Sequence, residues 1–182
     1  MLFYPFGLRI IIILISVAMT PLALAQAPKP IELPLLTATT PILIVTGEQD
    51  SRQYSLAELE ALGLYTVTTA TFWPEDDGSY QGVLLSDVLA DAGLANAEAV
   101  NVLALDHFSQ TIPRQDWTRW PLLLATRRDQ QPLSIRSKGP LRIIYPRDMD
   151  SELERGTYRL RWVWMIDRLT AVKEGYEYSP NP

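Results

Sequence analysis

The sequence predicts an α+β domain in which short helices accompany β-sheet. Apolar runs of strand length, many of them rich in β-branched residues, outnumber the segments with helical periodicity. The predicted helices fall between the early strands without a regular β-α-β rhythm, which argues against a doubly wound sheet. No internal repeat or low-complexity segment is present, and the chain length of 182 residues fits one domain.

The first predicted elements are two strands with a short helix between them. Residues 41–46 (PILIVT) form a β-branched apolar run typical of a buried strand. Ser55 and Glu58 have the spacing of a capping box, which predicts a short helix that stops at Gly63. Residues 64–70 (LYTVTTA) have the composition of the next strand.

A turn and a second helix follow. Residues 74–79 (PEDDGS) predict a surface turn. Residues 83–92 place apolar side chains at helical spacing, with Gly93 just past their end. Further strands are predicted at residues 99–105, 122–126, 141–145 and 161–169. In the last of these, Trp162 and Trp164 would share one face.

The first 25 residues have the layout of a secretory signal peptide. Arg9 precedes an apolar run over residues 10–17, which is followed by Pro21 and the small-residue triplet 23–25 (ALA). A membrane anchor is the alternative, but this run is far shorter than the ~20 residues needed to span a bilayer. We therefore expect cleavage before Gln26 and a periplasmic protein that is not embedded in the membrane.

Cleavage would leave an extended lead-in over residues 26–40, which contains three prolines, and one domain over residues 41–175. Residues 176–182 have the composition of a loose tail. The mature chain would keep 15 basic against 21 acidic side chains, a formal charge of −6. Because phosphate binding needs a basic surface, this balance argues against a nucleic-acid partner.

The chain contains no cysteine and one histidine. Disulfides, zinc-thiolate sites, iron-sulfur clusters and cysteine nucleophiles are therefore excluded, and His107 alone cannot build a multi-histidine metal site. A Ser-His-Asp hydrolase would need His107, whose neighbours Asp106 and Phe108 do not resemble a nucleophile elbow. No glycine-rich phosphate loop supports nucleotide binding.

Aromatic residues beside predicted turns are the candidate ligand-binding residues. Phe72 and Trp73 end a strand at the acidic turn, Tyr80 begins the next segment, and residues 106–108 (DHF) follow another strand. Flat side chains joined by the carboxylate of Asp106 could hold a flat heterocycle such as a pterin, whose paired donors a carboxylate accepts. The alternative is that these aromatic residues belong to the core and that Asp106 caps a turn.

Four short motifs carry a family resemblance. They are residues 80–89 (YQGVLLSDVL), 104–113 (ALDHFSQTIP), 124–125 (LA) and 139–146 (GPLRIIYP). In this order and with these gaps, they resemble the oxidoreductase molybdopterin-binding domain, the fold of sulfite oxidase. The resemblance extends from about Ile42 to Val172 and implies a sulfite-oxidase-type mixed-sheet domain with short helices.

Enzymes of that family bind molybdenum through a cysteine that follows the strand before the first motif. In this sequence the equivalent place falls within residues 69–72, which contain Thr71 but no thiol. A threonine hydroxyl is not ionised near neutral pH and is a hard donor, so it cannot replace a soft thiolate. The resemblance therefore implies a pterin site without metal, although a cofactor held by its own dithiolene stays an alternative.

A second resemblance is to short, cysteine-free periplasmic proteins of the PruR type. It rests on the Trp73 turn, residues 106–108 and residues 139–146. It implies a receptor for a free, reduced pterin that controls an inner-membrane enzyme of cyclic-di-GMP turnover through that enzyme's periplasmic domain. That group often reads Asn-Asp-Tyr where this chain reads Asp-His-Phe, so the carboxylate has either moved by one position or been replaced.

Three functional hypotheses follow. In the first, the chain is a pterin receptor in which Trp73 and Phe108 stack, Asp106 accepts the ligand's donors and His107 adds a hydrogen bond or a face. In the second, it is a molybdopterin-dependent oxidoreductase that lacks the cysteine ligand. In the third, it is a structural or docking domain with no small molecule.

Trp117, Arg119 and Trp120 are candidate contacts for a protein partner. Interfaces are enriched in Trp and Arg. Residues 116–120 (DWTRW) are expected to form an exposed loop, and a loop cannot easily bury both indoles.

Overall fold

The computed structural model describes residues 27–172. The predicted signal peptide and the predicted tail over residues 176–182 lie outside the described residues. Within residues 27–172, no helix is long and apolar enough to cross a membrane.

The first sheet contains six short strands. They are β1 (Lys29–Pro30), β4 (Tyr65–Thr69), β5 (Gly78–Leu84), β8 (Leu123–Arg128), β9 (Gln131–Pro132) and β10 (Arg142–Ile144). Their order is β1-β4-β5-β8-β10, with β9 paired to β8, and every pairing is antiparallel. Gly82 lies directly against Leu124 and Ala125 where the register of β5 and β8 shifts, so a side chain has no space there.

The second sheet contains five strands. They are β2 (Pro41–Thr46), β3 (Ser51–Ser55), β6 (Ala99–Ala104), β7 (Ser109–Pro113) and β11 (Ile166–Ala171). Their order is β3-β2-β11-β6-β7. Strand β11 runs parallel to β2, whereas the other pairings are antiparallel, so this sheet is mixed.

Four short helices connect the strands. They are α1 (Leu56–Ala61), α2 (Leu85–Asp91), α3 (Arg114–Arg119) and α4 (Gly156–Arg159). Ser55 and Glu58 form the predicted capping box of α1, and Gly63 follows with a φ of 122°. The predicted helix over residues 83–92 begins two residues later, because residues 83 and 84 still pair with β8.

Both sheets contribute to one hydrophobic core. On β2, Leu43 and Val45 are buried in that core while Ile42 and Ile44 are only half-buried, the alternation expected of a strand with one face on the core. Residues of the predicted lead-in lie on the first sheet's side of the molecule, where β1 pairs with β4.

A buried ion pair binds the lead-in to the domain. The carboxylate of Glu60 accepts hydrogen bonds from Arg127 at 2.8 and 2.5 Å and from the Leu36 amide at 2.8 Å. Arg127 also donates to the Pro34 carbonyl at 2.7 Å. Two buried charged side chains therefore hold the backbone of the lead-in against the domain.

The predicted strand over residues 161–169 is wrong in its first half. Regular strand begins only at Ile166, and the preceding residues cross to the first sheet through a single bridge between Trp164 and Arg142. Trp162 is consequently buried at 2% exposure while Trp164 is half-buried, so the two indoles do not share a strand face.

Candidate functional site

A cavity of about 560 Å³ lies between three connecting segments: the turn after β4, the turn between β6 and β7, and the segment from α4 to β11. Its walls are largely aromatic and aliphatic. The lining residues are Trp73, Asp106, Phe108, Gly156, Arg159, Leu160, Trp162, Val163 and Trp164. A concave, mostly apolar site with a few polar groups is the usual form of a small-molecule site.

Aromatic side chains form one wall through successive edge-to-face contacts. The ring centroids of Trp73 and Trp164 are 4.9 Å apart, and those of Phe72 and Trp162 are 6.0 Å apart. Phe72 in turn meets Trp73 at 6.3 Å. Phe72 does not line the cavity but supports two residues that do.

Thr71 fixes the turn that presents Trp73. Its side chain is buried, its hydroxyl donates to the Trp73 carbonyl at 2.6 Å, and the Trp73 amide donates back to that hydroxyl at 3.0 Å. The Thr71 amide donates to Asp77 at 2.6 Å, and Arg147 donates to the Thr71 carbonyl at 2.8 Å. The hydroxyl of Thr71 is therefore fully used in holding the backbone of Trp73.

Three cationic side chains lie over this aromatic wall. The ammonium of Lys138 is 5.3 Å from the Trp73 ring centroid and 4.6 Å from that of Trp164. The guanidinium of Arg159 is 5.4 Å from Trp73, and that of Arg147 is 4.8 Å from Phe72. These distances are within the ~6 Å range of cation–π attraction. The wall thus combines ring faces with positive charge.

A single buried carboxylate balances the cations behind the wall. Asp76 binds Lys138 directly, Arg142 at 3.3 Å and Arg128 at 3.6 Å. Burial alone would raise the pKa of Asp76, but the hydrogen bond from Lys138 and the charge of Arg142 hold that pKa below its ordinary value. Lys138 and Arg142 thus share the charge of Asp76, and Arg128 lies between Asp76 and Asp129, 3.6 Å from a carboxylate oxygen of each.

Tyr80 belongs to this buried network and not to the cavity lining. Its side chain is fully buried, its hydroxyl donates to the Asp76 carbonyl at 2.5 Å, and Arg142 donates to that hydroxyl at 3.3 Å. The side chain fits the core alternative of the sequence analysis, because β5 directs it inward. We therefore assign Tyr80 to positioning Asp76 and Arg142.

The turn between β6 and β7 supplies the opposite side of the cavity. The amide of Phe108 donates to one oxygen of Asp106 at 3.0 Å, so Asp106 does cap the turn while also lining the cavity. Phe108 is 40% exposed at the cavity mouth. His107 is at the turn apex with a φ of 68°, is exposed and does not line the cavity.

A second buried carboxylate anchors the segment that carries Trp162. Asp116 accepts hydrogen bonds from Arg161 at 2.6 Å and from the Tyr145 hydroxyl at 2.7 Å. Burial raises the pKa of Asp116, against the opposing effect of these two hydrogen bonds. The ring of Tyr145 lies nearly parallel to that of Trp162, with an angle of 25° between them.

The predicted exposed loop around Trp117 and Trp120 is wrong. Residues 114–119 form α3, and the two indoles are only 7% and 3% exposed. Helix formation allows both to reach the core, which a loop would not. Of the three candidate partner contacts, only Arg119 is exposed, and it pairs with Asp150 and Glu152 at 3.0 and 2.5 Å. The indole N–H of Trp120 also donates to Asp150, at 3.0 Å.

Three of the predicted ligand-binding residues, Trp73, Asp106 and Phe108, therefore line one cavity. Arg159 and Leu160 also line the cavity, and no local sequence motif marks either of them. The sequence predicts Trp162 on a regular strand, whereas it lies in the irregular segment before β11. The available signal was the density of tryptophan and arginine between residues 159 and 164.

A model of the oxidoreductase molybdopterin-binding domain matches residues 75–177. The chain belongs to this family. The crystal structure of the sulfane dehydrogenase SoxCD from Paracoccus pantotrophus is similar to this chain, with a TM-score of 0.56 and 18% sequence identity over 78% of this chain and 40% of that one. The chain thus spans less than half the length of that structural neighbour. No curated protein matches the sequence.

Molybdopterin is the cofactor after which the family is named, and its pterin part fits this site. Aromatic walls, Arg159 and the carboxylate of Asp106 converge on one cavity. The indole N–H of Trp162, another lining residue, is buried and has no hydrogen-bond partner among residues 27–172.

The metal half does not fit in the usual way. The sequence has no cysteine, and the hydroxyls of Thr69 and Thr71 donate to the carbonyls of Ala70 and Trp73 at 3.1 and 2.6 Å. The described residues also contain no group of three or more histidine, aspartate and glutamate side chains that could hold a metal. A protein thiolate on molybdenum is therefore impossible in this chain.

Proposed function

We propose that this chain is a periplasmic pterin-binding receptor that regulates an inner-membrane cyclic-di-GMP signalling protein through its periplasmic domain. The observation that carries the binding function is the cavity in which Trp73, Phe108 and Trp164 surround the carboxylate of Asp106 and the guanidinium of Arg159. The pterin carries no molybdenum, because the chain has no thiolate to hold the metal. Its reduced state rests on the resemblance to PruR-type proteins.

Each lining group has a role that its chemistry supports. The pterin ring packs between Trp73 and Phe108, whose faces supply dispersion and quadrupole attraction. The oxygen of Asp106 that does not cap the turn accepts an N–H donor of the pterin edge. Arg159 and the unpartnered N–H of Trp162 donate to carbonyl and ring-nitrogen acceptors of the ligand.

Signalling requires that the partner distinguish the filled protein from the empty one. Phe108 and Leu160 are 40% and 56% exposed at the cavity mouth, so a bound ring would cover apolar surface there. The membrane partner and the periplasmic location rest on the PruR-type resemblance and on the signal-like segment over residues 1–25. They are tested separately from pterin binding.

A second candidate is a molybdopterin-dependent oxidoreductase. The family match and the similarity to a sulfane dehydrogenase favour it. In that case the cofactor's own dithiolene would hold the metal, and the purified protein would contain about one equivalent of molybdenum per chain. The absence of cysteine argues against it.

The binding function is tested by anaerobic calorimetric titration of the purified protein with a tetrahydropterin. Asp106→Asn should weaken binding about tenfold, because a charged acceptor is lost from a partly enclosed site. Asp129→Asn is the matched control, since Asp129 also lies in an exposed turn, accepts one backbone amide, that of Ser79 at 3.3 Å, and does not line the cavity. Equal affinities for the two variants would refute the assigned role of Asp106.

The regulatory function is tested in cells that lack this chain. Supplying the wild-type chain should change the cyclic-di-GMP level, and supplying Asp106→Asn should change it less. A level that is the same with and without the wild-type chain would refute the regulatory proposal while leaving pterin binding intact.

A further inference from the structure

A second groove, of about 410 Å³, lies on the outer face of the second sheet. The half-buried side chains of Ile42 and Ile44 on β2 line it. Leu105 and Ile135 line it and are 50% and 56% exposed, which is unusual for aliphatic side chains that lie together.

Asp167 provides the only charged group among the described residues that line this groove. One of its carboxylate oxygens is buried and has no hydrogen-bond partner among residues 27–172. A buried carboxylate oxygen without a partner is costly unless a donor reaches it. The groove therefore offers apolar contact surface next to an uncompensated negative charge.

We infer that this groove docks an extended segment of a partner protein. The segment places an apolar side chain between Leu105 and Ile135 and an arginine or lysine beside Asp167. The charge of Asp167 selects a cationic group, and the surrounding isoleucines exclude water from the contact. Interface cores commonly combine apolar anchors with arginine in this way.

The same two backbone segments contribute residues to both the groove and the cavity. Leu105 lines the groove while Asp106 and Phe108 line the cavity, and on the neighbouring segment Trp164 lines the cavity while Asp167 lines the groove. The Leu105 amide donates to the Met165 carbonyl at 2.9 Å and joins the segments. A pterin that moves these segments would change the groove, a consequence that rests on the proposed function.

The test is selection of a displayed library of random peptides on the purified full chain. Enriched peptides should contain arginine or lysine beside an aliphatic or aromatic residue. Their affinity should fall about tenfold in Asp167→Asn and in Ile135→Ser, through loss of a charge-assisted hydrogen bond and of apolar burial respectively. Asp50→Asn and Leu35→Ser are the matched exposed controls and should leave the affinity unchanged.

Several outcomes would overturn the inference. Enriched peptides without a cationic residue, or full affinity in Asp167→Asn, would remove the charge selection. A dimer in sedimentation velocity that Ile135→Ser dissociates would show that a second copy covers the groove. Enrichment only after deletion of residues 173–182 would show that the chain's own tail covers it.

Titration of the same variants with tetrahydropterin separates this inference from the proposed function. If the inference fails, Asp167→Asn binds the peptides with the same affinity as the wild type, and its pterin affinity is also unchanged. If pterin binding fails, the peptides are still enriched and still lost in Asp167→Asn. Peptide affinity that saturating pterin leaves unchanged would refute the coupling of groove and cavity.

Discussion

The indole of Trp73 meets the indole of Trp164 edge to face, with ring centroids 4.9 Å apart and an angle of 60° between the rings. Trp73 follows β4 of the first sheet, and Trp164 precedes β11 of the second. The pair therefore joins both sheets at the wall of the cavity. Lys138 lies over both rings and links them to the buried carboxylate of Asp76.

Replacing Trp73 should affect ligand binding more than folding. Trp73→Ala should lower tetrahydropterin affinity about tenfold or more, since aromatic stacking is worth roughly 0.5 to 1.5 kcal/mol beyond the burial of the ring. Trp73→Phe should retain most of the affinity. Calorimetric titration and thermal melting measure the two effects, with the exposed Leu35→Ala as control. Unchanged affinity in Trp73→Ala would show that the ligand does not touch this wall.

The guanidinium of Arg159 should contribute to affinity without contributing to stability. Arg159 lines the cavity, is exposed and has no ion pair within residues 27–172, so Arg159→Gln should change the free energy of unfolding by less than about 0.5 kcal/mol. Its pterin affinity should fall severalfold. Arg155→Gln is the matched control, because Arg155 is nearby, 71% exposed and outside the lining. Equal loss in both variants would indicate a general effect of charge.

The Glu60 carboxylate should make stability depend on pH. Burial raises the pKa of Glu60, but hydrogen bonds from Arg127, the Leu36 amide and Thr126 outweigh burial and hold the pKa below its ordinary value. The pKa of Glu60 is about 4.3 in the unfolded chain and lower in the folded protein. The ionised carboxylate therefore stabilises the folded protein above about pH 4.3, and this stabilisation is lost as the pH falls through the folded-state pKa.

Glu60→Gln should therefore lower the free energy of unfolding at neutral pH by about 3 to 5 kcal/mol, because it leaves Arg127 buried without its counter-charge. The difference from wild type should shrink below about pH 4.3. Urea unfolding at several pH values measures it, with the exposed Glu75→Gln as control. A difference that grows in acid would contradict this account.

Arg119 should act on the cavity through the segment that it clamps. Arg119 pairs with Asp150 and Glu152, which lie just before α4 in the sequence. Helix α4 contains Arg159, which lines the cavity. Arg119→Glu should have only a small effect on global stability, since the pairs are at the surface. It should nevertheless speed amide hydrogen exchange over residues 150–160 and weaken pterin binding.

Hydrogen exchange with mass spectrometry measures this effect, and Arg136→Glu is the exposed control. The sequence predicts Arg119 as a candidate contact for a protein partner, and its ion pairs point to this second role beside that prediction. Unaltered exchange over residues 150–160 would show that the clamp has no influence on the cavity.

Local signals predicted much of the fold. The capping box of Ser55 and Glu58, the apolar run of β2 and the family motif around Gly82 each depend on residues close together in the sequence. Helix α3 was missed, because its burial depends on Asp116 reaching Tyr145 and Arg161 far along the chain. No sequence periodicity reports such a contact.

Dependence on long-range contacts also distinguishes the site residues that the sequence did not predict from those that it did. Trp73 and Phe108 were found because strand ends present flat side chains to a common edge. Arg159 and Trp162 lie in a segment without regular strand, which Arg161 and Arg119 place through long-range ion pairs. Tyr80 was assigned to the cavity because an aromatic residue on a strand can face either side.

The central claim is that the cavity holds a pterin without molybdenum. The most direct measurement is made on protein purified from the periplasm: acid extraction, oxidation, pterin fluorescence, and molybdenum by mass spectrometry on the same sample. We predict pterin at close to one equivalent per chain, with molybdenum far below it. Molybdenum at near-equal amount would contradict the account, and would mean that this fold holds the metal cofactor without a protein thiolate.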